Sequence, residues 1–207
     1  MKLYKNTGLK ICERVILLFV IFAFFIGMSI FGDDKALGSV VLFDGQQHMS
    51  GKGFALPRGL SKFELSTINT FSGSRDLFFD LQFDSGWTGC GWNWTSWNYD
   101  APKTSIKSYS KIIFYISVSP CSIHDITFQL TSATKPGTQD GFGKKVSIFP
   151  FIKKRDTYTK IEIDLSKLEG QTLDPAEVWG FNIGVFAGKA SNPGRCKMYI
   201  DNIELIP

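Results

Sequence analysis

Residues 159–165 read TKIEIDL. Ile161, Ile163 and Leu165 fall on one side of an extended chain, and Lys160, Glu162 and Asp164 on the other, because successive side chains of a strand point to opposite faces. Strict alternation of this kind marks a half-buried strand. The same period recurs on both sides of this segment. LFFDLQFD (77–84) groups Leu77, Phe79, Leu81 and Phe83; KIIFYISV (111–118) groups Ile112, Phe114, Ile116 and Val118. DITFQL (125–130) groups Ile126, Phe128 and Leu130, and FNIGV (181–185) groups Phe181, Ile183 and Val185. VVLF (40–43), VSIF (146–149) and KMYIDNIEL (197–205) complete the set.

Turn signals separate these runs: Ser72-Gly73-Ser74, Ser119-Pro120, the segment 134–143 with its Lys-Pro-Gly, and Ser191-Asn192-Pro193-Gly194. One short helical turn is predicted at Asp174-Pro175-Ala176-Glu177, with Asp as cap, Pro at the first helical position and Glu closing a capping box. Many short strands between turns define an all-β chain, a two-sheet antiparallel β-sandwich or jelly roll. No internal repeat or interdomain linker interrupts it. The last strand changes parity: Met198 and Ile200 share one face, Ile203 and Leu205 the other. Either a β-bulge near Asp201-Asn202 turns both pairs inward, or Ile203 faces outward at an edge.

Before this domain the composition differs. Lys2, Lys5, Lys10 and Arg14 oppose a single acid, Glu13, and an uncharged run follows from Val15 to Phe31. A basic start and an apolar run form a secretory signal pattern. The run exceeds the usual signal core of about 7–15 residues and reaches the low end of a membrane span, about 17–25. Residues 1–38 are therefore expected to be a signal peptide or an N-terminal membrane anchor, a hydrophobic helix ahead of a β-sandwich at 39–207, and the protein to be secreted or held in the cell envelope. Ala36-Leu37-Gly38 supplies small residues spaced like a cleavage site. Without the first 32 residues Lys+Arg falls from 23 to 19 and Asp+Glu from 19 to 18, so the net charge drops from +4 to +1. That removes the basic face that nucleic-acid binding requires. Any membrane contact is expected only through residues 15–31, and the domain is expected to be a monomer. Past residue 38 the cysteines are Cys90, Cys121 and Cys196, whose spacing fits no zinc pattern. Outside the cytoplasm three thiols permit one bridge or none, and the sequence does not choose a connectivity.

The order of landmarks carries a resemblance. Phe43-Asp44 closes the first strand; an apolar strand follows, then the aromatic segment Trp87 to Trp94, then Ser108-Tyr109 leading into KIIFYISV. IEIDLSKL, LDPAEVWGFNIGVF and a terminal MYIDNIEL come next, the most specific parts being residues 178–184 and 199–203. Over about residues 40–207 this resembles galactose-binding-like β-sandwich modules of the carbohydrate-binding type, in particular those appended to bacterial β-glucanases and the complex I intermediate-associated protein type. The resemblance implies a jelly roll whose concave sheet face holds a glycan chain, with a β-glucan-like polysaccharide favoured. It also implies one structural Ca2+ between the first and last strands, with Asp44 and Asp201 at the places of its acidic ligands. Calcium takes six to eight oxygens, so backbone carbonyls and water would have to complete the set.

GWTGCGWNWTSWNYD (86–100) holds four of the five tryptophans, Trp87, Trp92, Trp94 and Trp97, together with Tyr99. A flat aromatic stacks on the apolar face of a sugar while amides and carboxylates bond its hydroxyl rim. Trp87, Trp92, Asn93, Trp94, Trp97, Tyr99 and Asp100 are the candidate carbohydrate-binding residues. Two readings stand for Trp92 and Trp94, which share a face: they line the groove, or they fill the core, where tryptophan is commonly found. Trp97 and Tyr99, among turn-forming polar residues, are expected to be exposed, and Trp179 to be core. Residues 134–145 and the Phe149-Pro150-Phe151 turn are expected to rim the groove. Asn93-Trp94-Thr95 also forms a glycosylation sequon, relevant to a eukaryotic secretory route. Lys153-Lys154-Arg155 reads as a solvated turn, and His124 as a structural residue.

No catalytic set emerges. There are two histidines, His48 and His124, and no nucleophile-elbow, zincin or phosphate-loop motif. Acid pairs such as Asp80 with Asp84 lie on the solvent side of strands. The expectation is a non-catalytic module binding a polysaccharide through exposed aromatics; the alternatives are a protein-interaction or assembly module of the same fold and a weak glycan-active enzyme.

Overall fold

The structure, a computed structural model, describes residues 38–46, 51–83, 86–133, 140–170, 172–187 and 194–207. The expected signal or anchor, with its run 15–31, lies outside the described residues, as do 134–139 of the predicted groove rim. Twelve strands are formed among the described residues: β1 (Val40–Phe43), β2 (Lys52–Leu56), β3 (Lys62–Ser66), β4 (Asp76–Gln82), β5 (Trp87–Asn93), β6 (Lys111–Val118), β7 (Asp125–Ser132), β8 (Gly141–Phe142), β9 (Val146–Ser147), β10 (Thr159–Asp164), β11 (Val178–Phe186) and β12 (Arg195–Ile206). They make two six-stranded sheets. Sheet A runs β10-β6-β12-β4-β3 with β1 also on β12, and sheet B runs β2-β5-β11-β7-β8 with β9 also on β7. The named strands pair antiparallel throughout. This is the expected two-sheet antiparallel sandwich. Among the described residues the only helical pieces are two 3-10 turns, Phe149–Phe151 and Leu165–Lys167.

The alternating residues meet where their period directs them. Ile161, Ile163, Ile112, Phe114, Leu77, Phe79, Met198 and Ile200 from sheet A face Phe128, Leu130, Phe181 and Ile183 from sheet B, and all are buried. Phe114 stacks on Phe128 at 5.4 Å or less between centroids, and Phe128 in turn on Phe181, the two separations being 4.9 and 5.4 Å. Burying each such side chain contributes about 1.5–3 kcal/mol, so this inter-sheet layer dominates stability.

The parity change in the last strand is a bulge. The β12–β6 register shifts between Asp201 and Glu204, and Asn202 takes a left-handed φ of 50°. Met198, Ile200, Ile203 and Leu205 consequently all point inward. The shift falls where β12 exchanges one neighbour for another, β4 pairing with Arg195–Ile200 and β1 with residues 203–205. Residues 174–177 form a turn instead of the predicted helical turn: the Glu177 N–H donates to the Asp174 carbonyl (3.1 Å) and the Ala176 N–H to Asp174 Oδ1 (2.9 Å). The Asp cap is present, but the chain enters β11 at once.

Candidate binding face of sheet B

With Cys90 and Trp92 of β5 and Phe181 and Ile183 of β11 turned inward, the residues between them face out. Strand register arranges them in rows across the sheet. One row is Leu56–Gly89–Gly184–Thr127, the next Phe54–Gly91–Asn182–Gln129, the next Lys52–Asn93–Gly180–Thr131. The middle of each row is glycine or a polar side chain, so the sheet has a low floor there. Aromatic rings occupy the freed space: a Cβ built on Gly91 would meet the Phe54 ring at 2.7 Å, and one on Gly89 the Trp87 ring at 2.9 Å. Glycine in these strands is a close-approach device, as interior strand glycines commonly are.

Two hollows lie on this floor. One of about 240 Å³ is bounded by Leu56, Trp87, Thr127, Gln129, Lys145 and Asn182. The other, about 110 Å³, is bounded by Asn93, Trp97, Thr131, Asp140, Phe142 and Asn182. Phe54 lines both, and also an open cleft along the β2 edge with Arg58 and Trp97. At the far side Gln129, Phe142, Lys144 and Lys145 continue the surface. The trough thus crosses the sheet from β2 to β8, four strand spacings or roughly 19 Å. The Gln129 Nε2–H donates to the Gly143 carbonyl at 2.7 Å, which fixes the plane of its amide. Burial holds the Asp140 carboxyl above its usual range.

Trp97 reaches the trough through an unusual turn. Ser96 and Trp97 have φ of 56° and 59°, a region that non-glycine residues seldom occupy. Asn93 holds this backbone in place. Its Oδ1 accepts the Thr95 N–H (3.0 Å), the Thr95 hydroxyl (2.9 Å) and the Trp97 N–H (3.0 Å). Three donors on one oxygen fix the amide orientation, so Nδ2 faces the other way. Nδ2 is buried, without a hydrogen-bond partner within the protein, in a residue 3% exposed that borders the smaller hollow. A buried donor left unmet costs about 1–3 kcal/mol, and such groups ordinarily meet water or a ligand.

The candidate residues divide accordingly. Trp87 and Trp97 are exposed, at 41% and 36%, and border the trough. Asn93 belongs to it as a buried positioning group. Trp92 lies beneath it: it touches the smaller hollow but is 1% exposed, between the sheets and edge-on to Phe43 at 5.4 Å. Of the two readings of Trp92, the core one holds, because it shares parity with Cys90. Trp94 follows it inward in part, 6.0 Å from Trp92, with its Nε1 buried and unpartnered. Tyr99 leans on buried Trp179 at 5.0 Å, and Asp100 is exposed in the same loop, its N–H donating to Asn98 Oδ1. Neither borders the hollows just described. Burial of Asn93 also closes the sequon. Phe149 departs from the expected rim, packing beneath the Arg155 guanidinium at 5.2 Å. Phe54, Asn182 and Gln129 are additions that sequence reading passed over; the outward parity of FNIGV and DITFQL was the signal for the two amides.

The expected calcium position has a different character. Asp201 is buried under the segment 71–72. Its Oδ2 accepts the Ser72 N–H (2.8 Å) and Ser72 hydroxyl (3.5 Å), and its Oδ1 the Asn202 N–H (2.7 Å). Asp44 Oδ1 accepts the Gln46 N–H at 2.9 Å. Donors ring the Asp201 carboxylate where a cation would need to approach. Among the described residues no three acidic, histidine or cysteine side chains converge on one point. Beside Asp201 stands a second buried carboxyl, Asp76, whose Oδ2 accepts the Tyr158 hydroxyl at 2.8 Å. Burial, opposed by that hydrogen bond and reinforced by the Asp201 charge, pushes the Asp76 pKa up to about 7.

No protein-family model matches this sequence, and no curated protein matches it. Solved structures do. A family 11 carbohydrate-binding module from Clostridium thermocellum, in complex with a β-1,3-1,4-mixed-linked tetrasaccharide, aligns with a TM-score of 0.54 at 18% identity, covering 83% of this chain and 97% of that one. The family 30 module of a cellulosomal cellulase of the same organism gives a TM-score of 0.59 at 14% identity, over 82% and 97%. A β-1,2-glucanase from Parabacteroides distasonis aligns over 82% of this chain but 25% of its own, with a TM-score of 0.54 and 11% identity. The fold is that of the carbohydrate-binding β-sandwich modules.

Proposed function

We propose that this chain is a non-catalytic module that binds a polysaccharide along the outer face of sheet B, working outside the cytoplasm after export or anchoring through residues 15–31. The observation that carries the reading is the composition of the trough. Exposed Trp87 and Trp97 and half-buried Phe54 supply flat apolar faces, glycines keep the floor open between them, and Asn182, Gln129 and the unmet Asn93 donor supply polar groups. A sugar chain offers the matching surfaces, C–H faces and a hydroxyl rim. A trough that runs across the whole sheet suits a chain rather than a single sugar. The mixed-linkage glucan held by the family 11 neighbour makes β-glucans the first ligands to try.

Affinity electrophoresis of the full chain against mixed-linkage β-glucan, xylan, mannan and pectin tests this. Retardation by at least one β-linked glycan, abolished in Trp97→Ala and Phe54→Ala, is the expected result. Equal migration with and without every glycan rejects the proposal, and sugar release from a retarding glycan rejects its non-catalytic part.

A further inference from the structure

Cys121 follows the end of β6, and Cys196 lies near the start of β12. The end of β6 is stitched to β12 there. Val118 registers with Met198, the Ser119 N–H donates to the Lys197 carbonyl (2.8 Å), and the Lys197 N–H donates to Ser119 Oγ (2.8 Å). Cys196 shares the inward parity of Met198 and is fully buried. Cys121, two residues past Ser119, turns back against the edge of the core and is half-buried. Each thiol bears on the other's ionisation, with Cys196 the donor toward Cys121. Cys90 is buried on the inner face of the opposite sheet, in register with Ile183.

Arg155 completes the cluster. The Asp156 N–H donates to the Val118 carbonyl at 2.9 Å, which pins the 153–157 turn beside the end of β6. Arg155 lies over the Phe149 ring, and its Nη1 is buried without a hydrogen-bond partner. Its charge acts on both thiols, with that of Asp156 opposing it at Cys121. The Cys196 hydrogen bond first, and the Arg155 charge after it, hold the Cys121 thiol below its usual range against the effect of burial. Its bond to Cys121 and then burial push Cys196 up, and burial alone does so at Cys90. Accessibility and thiolate character therefore coincide at one sulfur, Cys121, with a second poised behind it.

We propose that Cys121 and Cys196 are a disulfide-forming pair, with Cys121 the attacking and Cys196 the resolving thiol, and that Cys90 stays reduced. The oxidant is a small-molecule or protein disulfide. The Cys121 thiolate attacks one of its sulfurs, the oxidant's S–S bond breaks, and half of it leaves as a thiolate while the other half stays on Cys121 as a mixed disulfide. Cys196 then attacks Cys121 Sγ and expels the second half. The two cysteines lose two electrons and two protons, and the oxidant gains both as two thiols. The bond would tie the β6–β7 connection to β12 across a long loop, where cross-links constrain the unfolded chain most.

The full chain, reduced and then exposed to oxidised glutathione, is mapped by mass spectrometry of its linked peptides, with thermal melts before and after. The expected result is a Cys121–Cys196 linkage, an unmodified Cys90 and a melting temperature raised by roughly 5 °C or more. In Cys196→Ala, Cys121 accumulates as the glutathione mixed disulfide; in Arg155→Gln the first step slows several-fold. A Cys90–Cys196 linkage, or Cys121 carrying only glutathione in the unaltered chain, overturns the pairing. If Cys196→Ala does not fold, Cys121→Ser decides the order of attack: oxidation of Cys196 at an undiminished rate in that variant overturns it.

Discussion

The indole of Trp97 leans on the ring of Phe54, with centroids 6.2 Å apart and planes 51° apart. One residue comes from a turn and the other from the edge strand of sheet B, and together they form the wall from which the trough begins. The wall rests on Asn93, which holds Trp97 in a backbone conformation it would not adopt alone.

Removing either ring should weaken glycan binding without unfolding the domain. Trp97→Ala and Phe54→Ala are each expected to lower affinity by about tenfold or more, since a stacked aromatic contributes on the order of 1 kcal/mol beyond the area it covers. Titration calorimetry on the retarding glycan checks the affinity, and unchanged far-ultraviolet circular dichroism checks the fold.

Two of the floor glycines, Gly91 and Gly89, should respond differently. At Gly91 an added methyl would meet the Phe181 carbonyl at 2.4 Å, backbone that cannot yield. At Gly89 the nearest atom belongs to the Trp87 ring and the nearest backbone oxygen is 3.4 Å away. Gly91→Ala is therefore expected to lower stability by about 1–3 kcal/mol, whereas Gly89→Ala displaces an exposed ring and weakens binding with little loss of stability. Denaturant melts paired with electrophoresis separate the two effects.

Asn93→Ala should lower both quantities together. It removes the oxygen that accepts three hydrogen bonds and releases a turn whose φ values carry strain. A loss of about 2 kcal/mol in stability and of most glycan retardation is expected. Retained binding in a destabilised Asn93→Ala would show that Trp97 does not need its turn.

The Asp76 carboxyl makes stability depend on pH. Its folded pKa, about 7, lies above its ordinary 3.8, so the folded state binds the proton more tightly than the unfolded chain. The stabilisation this gives is complete below the ordinary value and is lost as pH rises through the folded one. Asp76→Asn is accordingly expected to be close to neutral at about pH 4 and to stabilise at about pH 8, by no more than about 4 kcal/mol. Thermal melts across that range check both the sign and the window.

What the sequence made legible follows from what alternation encodes. TKIEIDL, KIIFYISV and FNIGV became β10, β6 and part of β11 because their inner faces are continuous apolar stripes. KGFAL and KFELS carry no such stripe: Gly53 interrupts one, and the other is a half-buried edge strand, so β2 and β3 went unassigned. The tryptophan window mixed two roles that periodicity alone does not separate. Trp92 follows the parity of Cys90 into the core, and the polar Asn93 between two tryptophans proved to be the residue that organises the turn. Phe54, Asn182 and Gln129 converge only through strand pairing, which joins positions far apart in the chain. Arg155 looked like part of a solvated basic turn because nothing local shows that it lies over Phe149 and that its charge acts on two thiols.

The long strand β12 lies at the middle of sheet A, against β1, β4 and β6 at once. A ribosome delivers it after every strand it joins. Until residue 206 has emerged, β1 and β4 have no neighbour to hold them to β6, and half of the sandwich waits as separate ribbons. Sheet A can therefore close only after β12 has been made, when every strand it joins is already present.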